Sequence, residues 1–211
     1  MRRQPDLKAK VVFMGNSGVG KTSIIHRHDG REFTADTSST IGTNFVHATI
    51  VYQEKKKLEL EIWDTVGTER YACMMPCYLR KSHGAFLVFD VANRDSFEAI
   101  SRWYGELENA CDITGLSLVL VGNKIDLEGK RAVNEMEARA LAEEKSMIYV
   151  ETSALQNRGI GEMMRTMADL LIERFEFEFL SYPDWEGDTD TDIVDVRSPE
   201  RRHKCQCNNI R

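Results

Sequence analysis

Short runs of apolar residues alternate along this chain with segments in which apolar residues recur at helical spacing. The apolar runs that predict buried strands lie at 10–14, 85–91, 119–122 and 147–150. The helical patterns begin at Thr22, run from Asp95 to about Ala110, from Met136 to Lys145, and from 160 to 175. Strands that alternate with helices are typical of a mostly parallel sheet with helices on both faces. The pattern therefore predicts an α/β fold.

A second pattern predicts one edge of this sheet. The strand 58–63 begins with alternating apolar and acidic residues, which indicates that one of its faces is buried. An earlier strand, 45–52, lies just before it, and the polar segment 53–57 separates the two. We expect these strands to pair as an antiparallel hairpin. Together with the four buried runs, they give a six-stranded, mostly parallel sheet.

Two helix starts carry capping signals. Asp95 precedes Glu98 by three residues, and Asn134 precedes Glu137 by three, which is the spacing of a capping box. The last helix has a stripe of apolar side chains at helical spacing, which we interpret as core rather than as a cofactor surface. Its members are Ile160, Met163, Met164, Met167, Leu171 and Phe175.

The length of 211 residues is compatible with one domain and a tail. We predict a flexible N-terminus at 1–7, a single domain at 8–180 and a disordered tail at 181–211. The tail is acidic from Asp184 to Asp195 and basic from Arg197 to Lys204, with few apolar residues. Such a segment cannot bury enough surface to offset the entropy of ordering.

Charge and cysteine content narrow the function. The formal net charge of −6 argues against general nucleic-acid binding. No apolar run reaches the ~18 residues of a membrane span, and the N-terminal segment lacks the apolar stretch of a signal peptide. Five cysteines without such a signal predict reduced thiols in the cytosol. Cys73, Cys77 and Cys111 are expected to pack, because no further ligand pair follows to complete a zinc site.

The most specific motif follows the first predicted strand. Residues 15–22 read Gly-Asn-Ser-Gly-Val-Gly-Lys-Thr, a full match to the phosphate-binding pattern G-x-x-x-x-G-K-[ST]. Glycines let backbone N–H groups point at phosphate oxygens, Lys21 supplies a positive charge to the β- and γ-phosphates, and the Thr22 hydroxyl can bind Mg²⁺. The following helix places its N-terminus at the phosphates. The predicted contacts are Gly15, Ser17, Gly18, Val19, Gly20, Lys21, Thr22 and Ser23.

Two later motifs predict the base. Residues 123–126 read Asn-Lys-Ile-Asp after a buried strand, and the Asp126 carboxylate can accept from guanine N1 and N2. Adenine offers no such donor pair and would leave this charge unpaired, so guanine is favoured over adenine. Lys124 can lie along the purine, while Asn123 connects neighbouring loops. Guanine O6 can be reached by backbone N–H groups after the last predicted strand, at Ser153, Ala154 and Leu155.

The strand 58–63 delivers Asp64 toward the Mg²⁺ site and Gly67 toward the γ-phosphate. With these motifs in order, residues 8–180 resemble the Ras superfamily of small GTPases and, within it, the Rab branch. The resemblance implies a P-loop small G domain that binds GTP or GDP with Mg²⁺ and hydrolyses GTP.

The resemblance also assigns individual residues. It places Thr40 at Mg²⁺ and the γ-phosphate, and Phe33 beside guanine. The implied effector surface consists of Phe45, Trp63 and Tyr78. The implied catalytic positions are Lys21, Thr40, Gly67 and Thr68. The implied metal ligands are Thr22, Thr40 and Asp64.

Two positions depart from the family pattern: Thr68, where the family has glutamine, and Val66, where the family has alanine and the added bulk can alter the pivot of the same loop. Where the family reads Asp-Thr-Ala-Gly-Gln-Glu-Arg, residues 64–70 read Asp-Thr-Val-Gly-Thr-Glu-Arg. The family's glutamine orients the attacking water, and Thr68 has a shorter side chain, so we expect slow hydrolysis. Two functions compete: a slow GTPase switch that recruits effectors in vesicle trafficking, and a hydrolysis-deficient, GTP-held binding module. A third, an ATP-dependent phosphotransferase, is opposed by Asp126.

The end of the tail bears on the membrane. Cys205 and Cys207 resemble the prenylated Cys-x-Cys pair of Rab proteins, although four residues follow and Asn208 stands where a C-a-a-X box needs cysteine. Prenylation would hold the protein reversibly on the cytosolic face of an intracellular membrane, and an unmodified polar end is the alternative. The implied partners are effector proteins, an exchange factor, a GTPase-activating protein and a GDP-dissociation inhibitor. The domain itself is expected to be monomeric.

Overall fold

Strands and helices alternate along the chain as the hydrophobic pattern predicts. The computed structural model describes residues 7–34, 44–52, 56–65 and 75–181. Its elements in chain order are β1 (Leu7–Met14), α1 (Lys21–His28), β2 (Asn44–Tyr52), β3 (Lys56–Asp64), α2 (Met75–Leu79), β4 (Gly84–Asp90), α3 (Arg94–Ala110), β5 (Ser117–Asn123), α4 (Glu135–Glu144), β6 (Ile148–Thr152) and α5 (Ile160–Ser181). Two short 3₁₀ turns lie at Ile113–Gly115 and Glu128–Lys130.

The strands form a single six-stranded sheet in the order β2-β3-β1-β4-β5-β6. β2 runs antiparallel to β3, with Phe45 opposite Trp63, and every other pairing is parallel. The predicted edge hairpin and the mostly parallel sheet are therefore confirmed. Because β1 has β3 on one side and β4 on the other, the chain order reverses at β1. Ligands of such sheets bind at the carboxyl ends of the strands beside this reversal.

Two hydrophobic clusters lie on opposite faces of the sheet. On β1, Val11 and Phe13 belong to the cluster packed against α1 and α5, whereas Val12 and Met14 belong to the cluster packed against α2, α3 and α4. β4 and β5 are buried along their whole length because both of their faces are covered. The methionine stripe of α5 is buried in the first cluster, which confirms its prediction as core.

The strand boundaries and the alternation follow from packing. Leu58, Leu60 and Ile62 are buried whereas Glu59 is exposed, as the apolar–acidic alternation predicts. β1 begins at Leu7, earlier than the apolar run at 10–14 suggested, because Leu7 pairs with Leu58 and Ala9 with Leu60. The residues expected to form the flexible N-terminus and the tail lie outside the described ranges, apart from Leu7 in β1 and Ser181 at the end of α5.

One capping prediction is wrong. α3 is capped by Asn93, whose side chain accepts from the Ser96 backbone N–H, so Asp95 lies inside the first turn. Asn93 has the extended backbone of a capping residue, and the Ser96 hydroxyl donates to the Asn93 carbonyl, which fixes this earlier start.

The cap of α4 is confirmed, because Asn134 accepts from the Met136 N–H. α4 itself begins at Glu135, one residue before the predicted start. The Glu137 carboxylate forms an ion pair with Arg94 of α3, 2.6 Å away, so its partner lies on the neighbouring helix.

The cysteine prediction is partly wrong. Cys77 is exposed, because α2 turns the neighbouring Leu79 inward and Cys77 outward. Cys111 is half-buried and its thiol donates to the Leu107 carbonyl. Cys73 lies outside the described residues. Among the helices that the structure describes, none combines the length and apolar character needed to cross a bilayer.

Candidate nucleotide-binding site

Four loops meet at the carboxyl edge of the sheet. The loop 15–20 follows β1, Asp64 ends β3, Asn123 ends β5, and the turn 153–158 follows β6. Because these four strands run parallel in one sheet, motifs far apart in sequence come together at one edge.

The backbone of the loop 15–20 requires glycine at particular positions. Gly15, Gly18 and Gly20 all have positive φ, at 141°, 78° and 99°. A Cβ on Gly15 would lie 2.1 Å from the Val88 carbonyl oxygen, and a Cβ on Gly20 would lie 2.3 Å from Asn123 Nδ2. Both glycines are therefore required by close contact with the strands behind the loop.

The remaining residues of the loop divide between core and solvent. Val19 is buried in the cluster under α1 and anchors the loop. Ser17 and Gly18 are exposed at the tip, and Ser23 is half-buried in the first turn of α1. The loop thus has a fixed base and an open rim, and α1 starts immediately after it.

Lys21 is a buried cation at the base of this loop. Its side chain turns back, and Nζ donates to the carbonyls of Gly15 and Asn16, at 2.8 and 2.9 Å. Burial lowers the pKa of Lys21 to about 8, while the negative charge of Asp64 opposes this shift. Two neutral carbonyls compensate a buried ammonium only in part, so an anion in the loop would be strongly favoured.

Thr22 and Asp64 form the second polar pair at the phosphate end. The Thr22 hydroxyl donates to Asp64 Oδ2 at 2.6 Å. Asp64 is only 3% exposed, and burial raises its pKa. Its other oxygen, Oδ1, is buried and has no hydrogen-bond partner in the part of the chain that the structure describes. A hydroxyl beside a carboxylate with a spare oxygen fits Mg²⁺, which takes few protein ligands and completes its shell with water and phosphate.

At the base-binding end, Asn123 connects three loops. It is 1% exposed, its Nδ2 donates to the Val19 carbonyl at 2.8 Å, and its Oδ1 accepts from Thr152 Oγ1 at 3.1 Å and from the Ala154 N–H at 3.3 Å. Asn123 therefore connects its own loop to the loop 15–20 and to the turn after β6, as the sequence predicts.

Lys124 and Asp126 extend from this anchor. Lys124 has a positive φ of 68°, and its Nζ lies 2.7 Å from Asp90 Oδ2 at the end of β4. The Asp126 Oδ1 accepts from the Ser153 hydroxyl, which itself accepts from the Gln156 N–H. Asp126 is therefore fixed to the turn after β6.

Other predicted nucleotide contacts lie around this rim. Ala154 is buried and Leu155 is exposed, both in the turn 153–158. Phe33 is half-buried and packs against the cluster under α1. The predicted residues Thr40, Gly67 and Thr68, with Val66, lie outside the described residues, as do Cys205 and Cys207.

The three predicted effector aromatics form one surface across β2, β3 and α2. The Phe45 and Trp63 rings stack with centroids 5.6 Å apart, and the Trp63 and Tyr78 centroids are 6.2 Å apart. Phe45 is 51% exposed. The Lys10 ammonium lies 4.3 Å from the centroid of the Trp63 ring.

Sequence reasoning missed two contacts of the site. Asp90, which pairs with Lys124, carried one signal, since it is a carboxylate at the end of an apolar strand. Asn16 occupies one of the unspecified positions of the phosphate-binding motif, yet its side chain accepts hydrogen bonds from α3. No local pattern marks this second contact, because its donors lie more than eighty residues away.

Comparisons with known proteins agree with this geometry. The Ras family profile matches residues 10–173. The chain is 42% identical over 153 residues to the Ras-related protein RABA5b of Arabidopsis thaliana, covering 72% of this chain and 70% of that one. It is 39% identical over 162 residues to the GTP-binding protein ypt3 of Schizosaccharomyces pombe, covering 77% and 75%. It is 32% identical over 213 residues to the Ras-related protein Rab-27B of Rattus norvegicus, covering 96% and 97%.

A P-loop α/β domain with this site and these relatives defines a small GTPase. The chain belongs to the Ras family and, within it, to the Rab branch. It is accordingly a GTPase of vesicle trafficking. Members of this family bind GTP and GDP with Mg²⁺ and act through regulators and effectors.

Proposed function

We propose that the loop 15–20 and the residues around it bind the phosphates of GTP and GDP together with Mg²⁺. Two incompletely partnered buried groups carry this proposal: the Lys21 ammonium, and Asp64 Oδ1, which accepts no hydrogen bond from the residues that the structure describes. Lys21 would contact the β- and γ-phosphates, and Thr22 and Asp64 would hold the metal, joined by Thr40. Mg²⁺ supplies neutralisation of charge that develops on the phosphate oxygens.

The base-binding end is proposed to select guanine. Ser153 occupies one oxygen of Asp126, and the carboxylate keeps acceptor capacity for the donors at guanine N1 and N2. Asn123 would position this loop without touching the base, and Lys124 would lie beside the purine. The proposed backbone donors to guanine O6 are those of Ser153, Ala154 and Leu155, and Phe33 is the proposed aromatic neighbour of the base.

We further propose that intrinsic GTP hydrolysis is slow. Gly67 would bring its N–H to the γ-phosphate, and the next residue, Thr68, takes the place of the family's water-orienting glutamine. Phosphoryl transfer depends mainly on positioning and charge stabilisation, so a shorter side chain at this place would leave the attacking water poorly oriented.

The signal is proposed to pass through the aromatic surface of Phe45, Trp63 and Tyr78 when GTP is bound. The exposed Phe45 ring stacks on the half-buried Trp63, and such an aromatic surface is suited to burial by an effector. An exchange factor, a GTPase-activating protein and a GDP-dissociation inhibitor are the proposed regulators. Lipid on both Cys205 and Cys207 would give stable attachment to the cytosolic face of an intracellular membrane, because a single chain binds only marginally.

A second candidate function follows from Thr68 as well. If hydrolysis is negligible even with an activating protein, the chain acts as a GTP-held binding module whose signal ends by nucleotide exchange or degradation. The two functions differ in the fate of bound GTP and not in the residues that bind it.

Single-turnover hydrolysis by wild type and Thr68→Gln separates these possibilities. We expect Thr68→Gln to hydrolyse GTP about 10- to 100-fold faster at unchanged GTP affinity, because the longer amide can orient the water. If both proteins hydrolyse GTP at the same low rate, Thr68 is not the cause of slow hydrolysis and Val66 is the next candidate. Wild type that turns over with an activating protein is a switch, and wild type that does not is the binding module.

A further inference from the structure

The phosphate-binding loop is hydrogen-bonded to the middle of α3 through one side chain. Asn16 Oδ1 accepts from the Trp103 indole Nε1 at 2.9 Å and from an Arg102 guanidinium nitrogen at 3.1 Å. The Arg102 guanidinium also lies 5.1 Å from the centroid of the Trp103 ring. We call this arrangement of Asn16, Arg102 and Trp103 the α3–loop contact.

The donor side of the α3–loop contact is rigid. Trp103 is only 3% exposed and belongs to the buried stripe of α3, with Ile100 and Leu107 on either side. The start of α3 is fixed by the Asn93 cap and by Ser96, whose hydroxyl donates to the Asn93 carbonyl. The indole N–H therefore has a fixed position, set by a packed core rather than by the loop.

On the acceptor side of the α3–loop contact, Asn16 is hydrogen-bonded directly to Lys21. The Asn16 backbone carbonyl accepts from Lys21 Nζ at 2.9 Å, while its side chain accepts from α3. One residue thus connects the buried ammonium to a rigid helix. The loop contains three glycines with positive φ, and such a segment loses much conformational entropy when it is fixed. Hydrogen bonds from α3 reduce the freedom that remains to be lost when phosphates bind.

We infer that Trp103 and Arg102 are positioning residues for nucleotide binding, which act through Asn16 to hold the loop 15–20 in its phosphate-binding conformation. This inference rests on the proposed function, because it assumes that the loop binds the phosphates of GDP and GTP. Nucleotide release requires the loop to open, and opening must break these hydrogen bonds. Their loss therefore speeds release, whereas the chemistry at the γ-phosphate is left to other residues.

The test is a double-mutant cycle on the full chain loaded with fluorescently labelled GDP and Mg²⁺. Release is followed after addition of excess unlabelled GDP, for wild type, Trp103→Phe, Asn16→Ala and the double variant. One neutral hydrogen bond corresponds to about a 2- to 10-fold change in an equilibrium or rate constant. We expect each single variant to release GDP faster by about this factor, and the double variant to be no faster than the faster single variant.

If Trp103 acts only by packing, the double-mutant cycle gives a different outcome than if it positions the loop. Trp103→Phe keeps an aromatic ring but loses the N–H, so a packing effect would persist at full size in the Asn16→Ala background and would overturn the inference. Thermal midpoints measured in parallel report the packing loss alone.

A matched pair of arginines on α3 provides the control. Arg102→Ala removes a donor of the α3–loop contact, whereas Arg94→Ala removes an exposed arginine that pairs with Glu98 and Glu137. Only Arg102→Ala is expected to speed release. If wild type binds GDP tightly and every variant releases it at the wild-type rate, the inference is wrong and the proposed function stands. If wild type binds neither GDP nor GTP, both are wrong.

Discussion

The two ends of the nucleotide site are built in opposite ways. At the base-binding end, the amide of Asn123 is hydrogen-bonded to Val19, Thr152 and Ala154, and Ser153 holds Asp126 in place. At the phosphate end, Lys21 is a buried cation whose hydrogen-bond partners among the described residues are carbonyls, and Asp64 Oδ1 has none. The side chains of the first end hold one another in place, whereas the second end has buried charges for which we propose phosphate and Mg²⁺ as partners.

We therefore expect the base-binding end to determine which nucleotide binds, and the phosphate end to determine how tightly it binds. A pre-assembled base-binding end can distinguish guanine from adenine because its groups have no freedom to adapt. An electrostatically incomplete phosphate end destabilises the ligand-free protein and is stabilised by phosphate and Mg²⁺. Substitutions at the phosphate end should therefore change affinity and ligand-free stability in opposite directions, whereas substitutions at the base-binding end should change the choice of ligand.

The largest effect is expected at Lys21. Lys21→Met should weaken GTP and GDP binding at least about 100-fold, because charge-assisted contacts to the phosphates are lost. The same change should stabilise the ligand-free protein, since it removes a poorly solvated charge. Isothermal calorimetry and denaturant unfolding measure the two effects, with the exposed Lys8→Met as the control. Loss of both affinity and ligand-free stability would contradict the contrast between the two ends.

The same lysine gives a pH signature. Its pKa falls from 10.5 to about 8 in the folded protein, so the unfolded chain binds more protons between these values. The ligand-free wild type should therefore gain stability as the pH rises from 8 to 10.5, by about 3 kcal/mol relative to Lys21→Met. Below pH 8 the difference between the two proteins should be constant. If the free energies of unfolding of wild type and Lys21→Met change in parallel over this pH range, Lys21 is not a buried ammonium.

Asp126→Asn should exchange the ligand rather than abolish binding. The loss of the charge-assisted pair with guanine costs about 1.5–3 kcal/mol, and xanthine, with its additional carbonyl, suits an amide better. Competition among GTP, XTP and ATP measures the change, with Asp95→Asn on α3 as the control. Wild type that binds ATP as tightly as GTP would overturn the base assignment altogether.

Thr22→Asn should distinguish GTP from GDP. The Thr22 hydroxyl lies beside Asp64, where Mg²⁺ would bridge to the γ-phosphate, so we expect about a ten-fold greater loss for GTP than for GDP. Affinities for both nucleotides, measured with Mg²⁺ and with excess chelator, test this difference. An equal loss for both nucleotides would place the metal elsewhere.

The smallest effect is expected behind the base-binding end. The Tyr149 hydroxyl donates to Glu151, which also accepts two hydrogen bonds from Arg131. Tyr149→Phe leaves the ion pair intact, so it should cost about 1 kcal/mol of stability and leave guanine selectivity unchanged. Thermal unfolding and GTP–ATP competition measure both quantities, with Tyr104→Phe on α3 as the control. A changed preference for GTP over ATP would show that the base-binding end depends on the hydrogen bond from Tyr149 to Glu151.

The fold and the core of the site were predictable because their signals are local. Apolar runs gave the strands, and the glycine spacing of 15–20 and the Asn-Lys-Ile-Asp motif at 123–126 gave the site. The misses have two causes. Asn93 rather than Asp95 caps α3 because Ser96 bonds both to Asn93 and to the end of β4, and the spacing of Asp95 and Glu98 competes with this local signal. Trp103 reaches Asn16 from a distant part of the chain, so no window of neighbouring residues contains both partners.

Asn123 has a consequence for the order in which the molecule is made. Its side chain bonds to residues 104 positions earlier and 31 positions later in the chain. On the ribosome, the amide of Asn123 lacks its last partner until Ala154 has emerged. A nascent chain would thus become able to discriminate between nucleotides only when most of the domain has been translated.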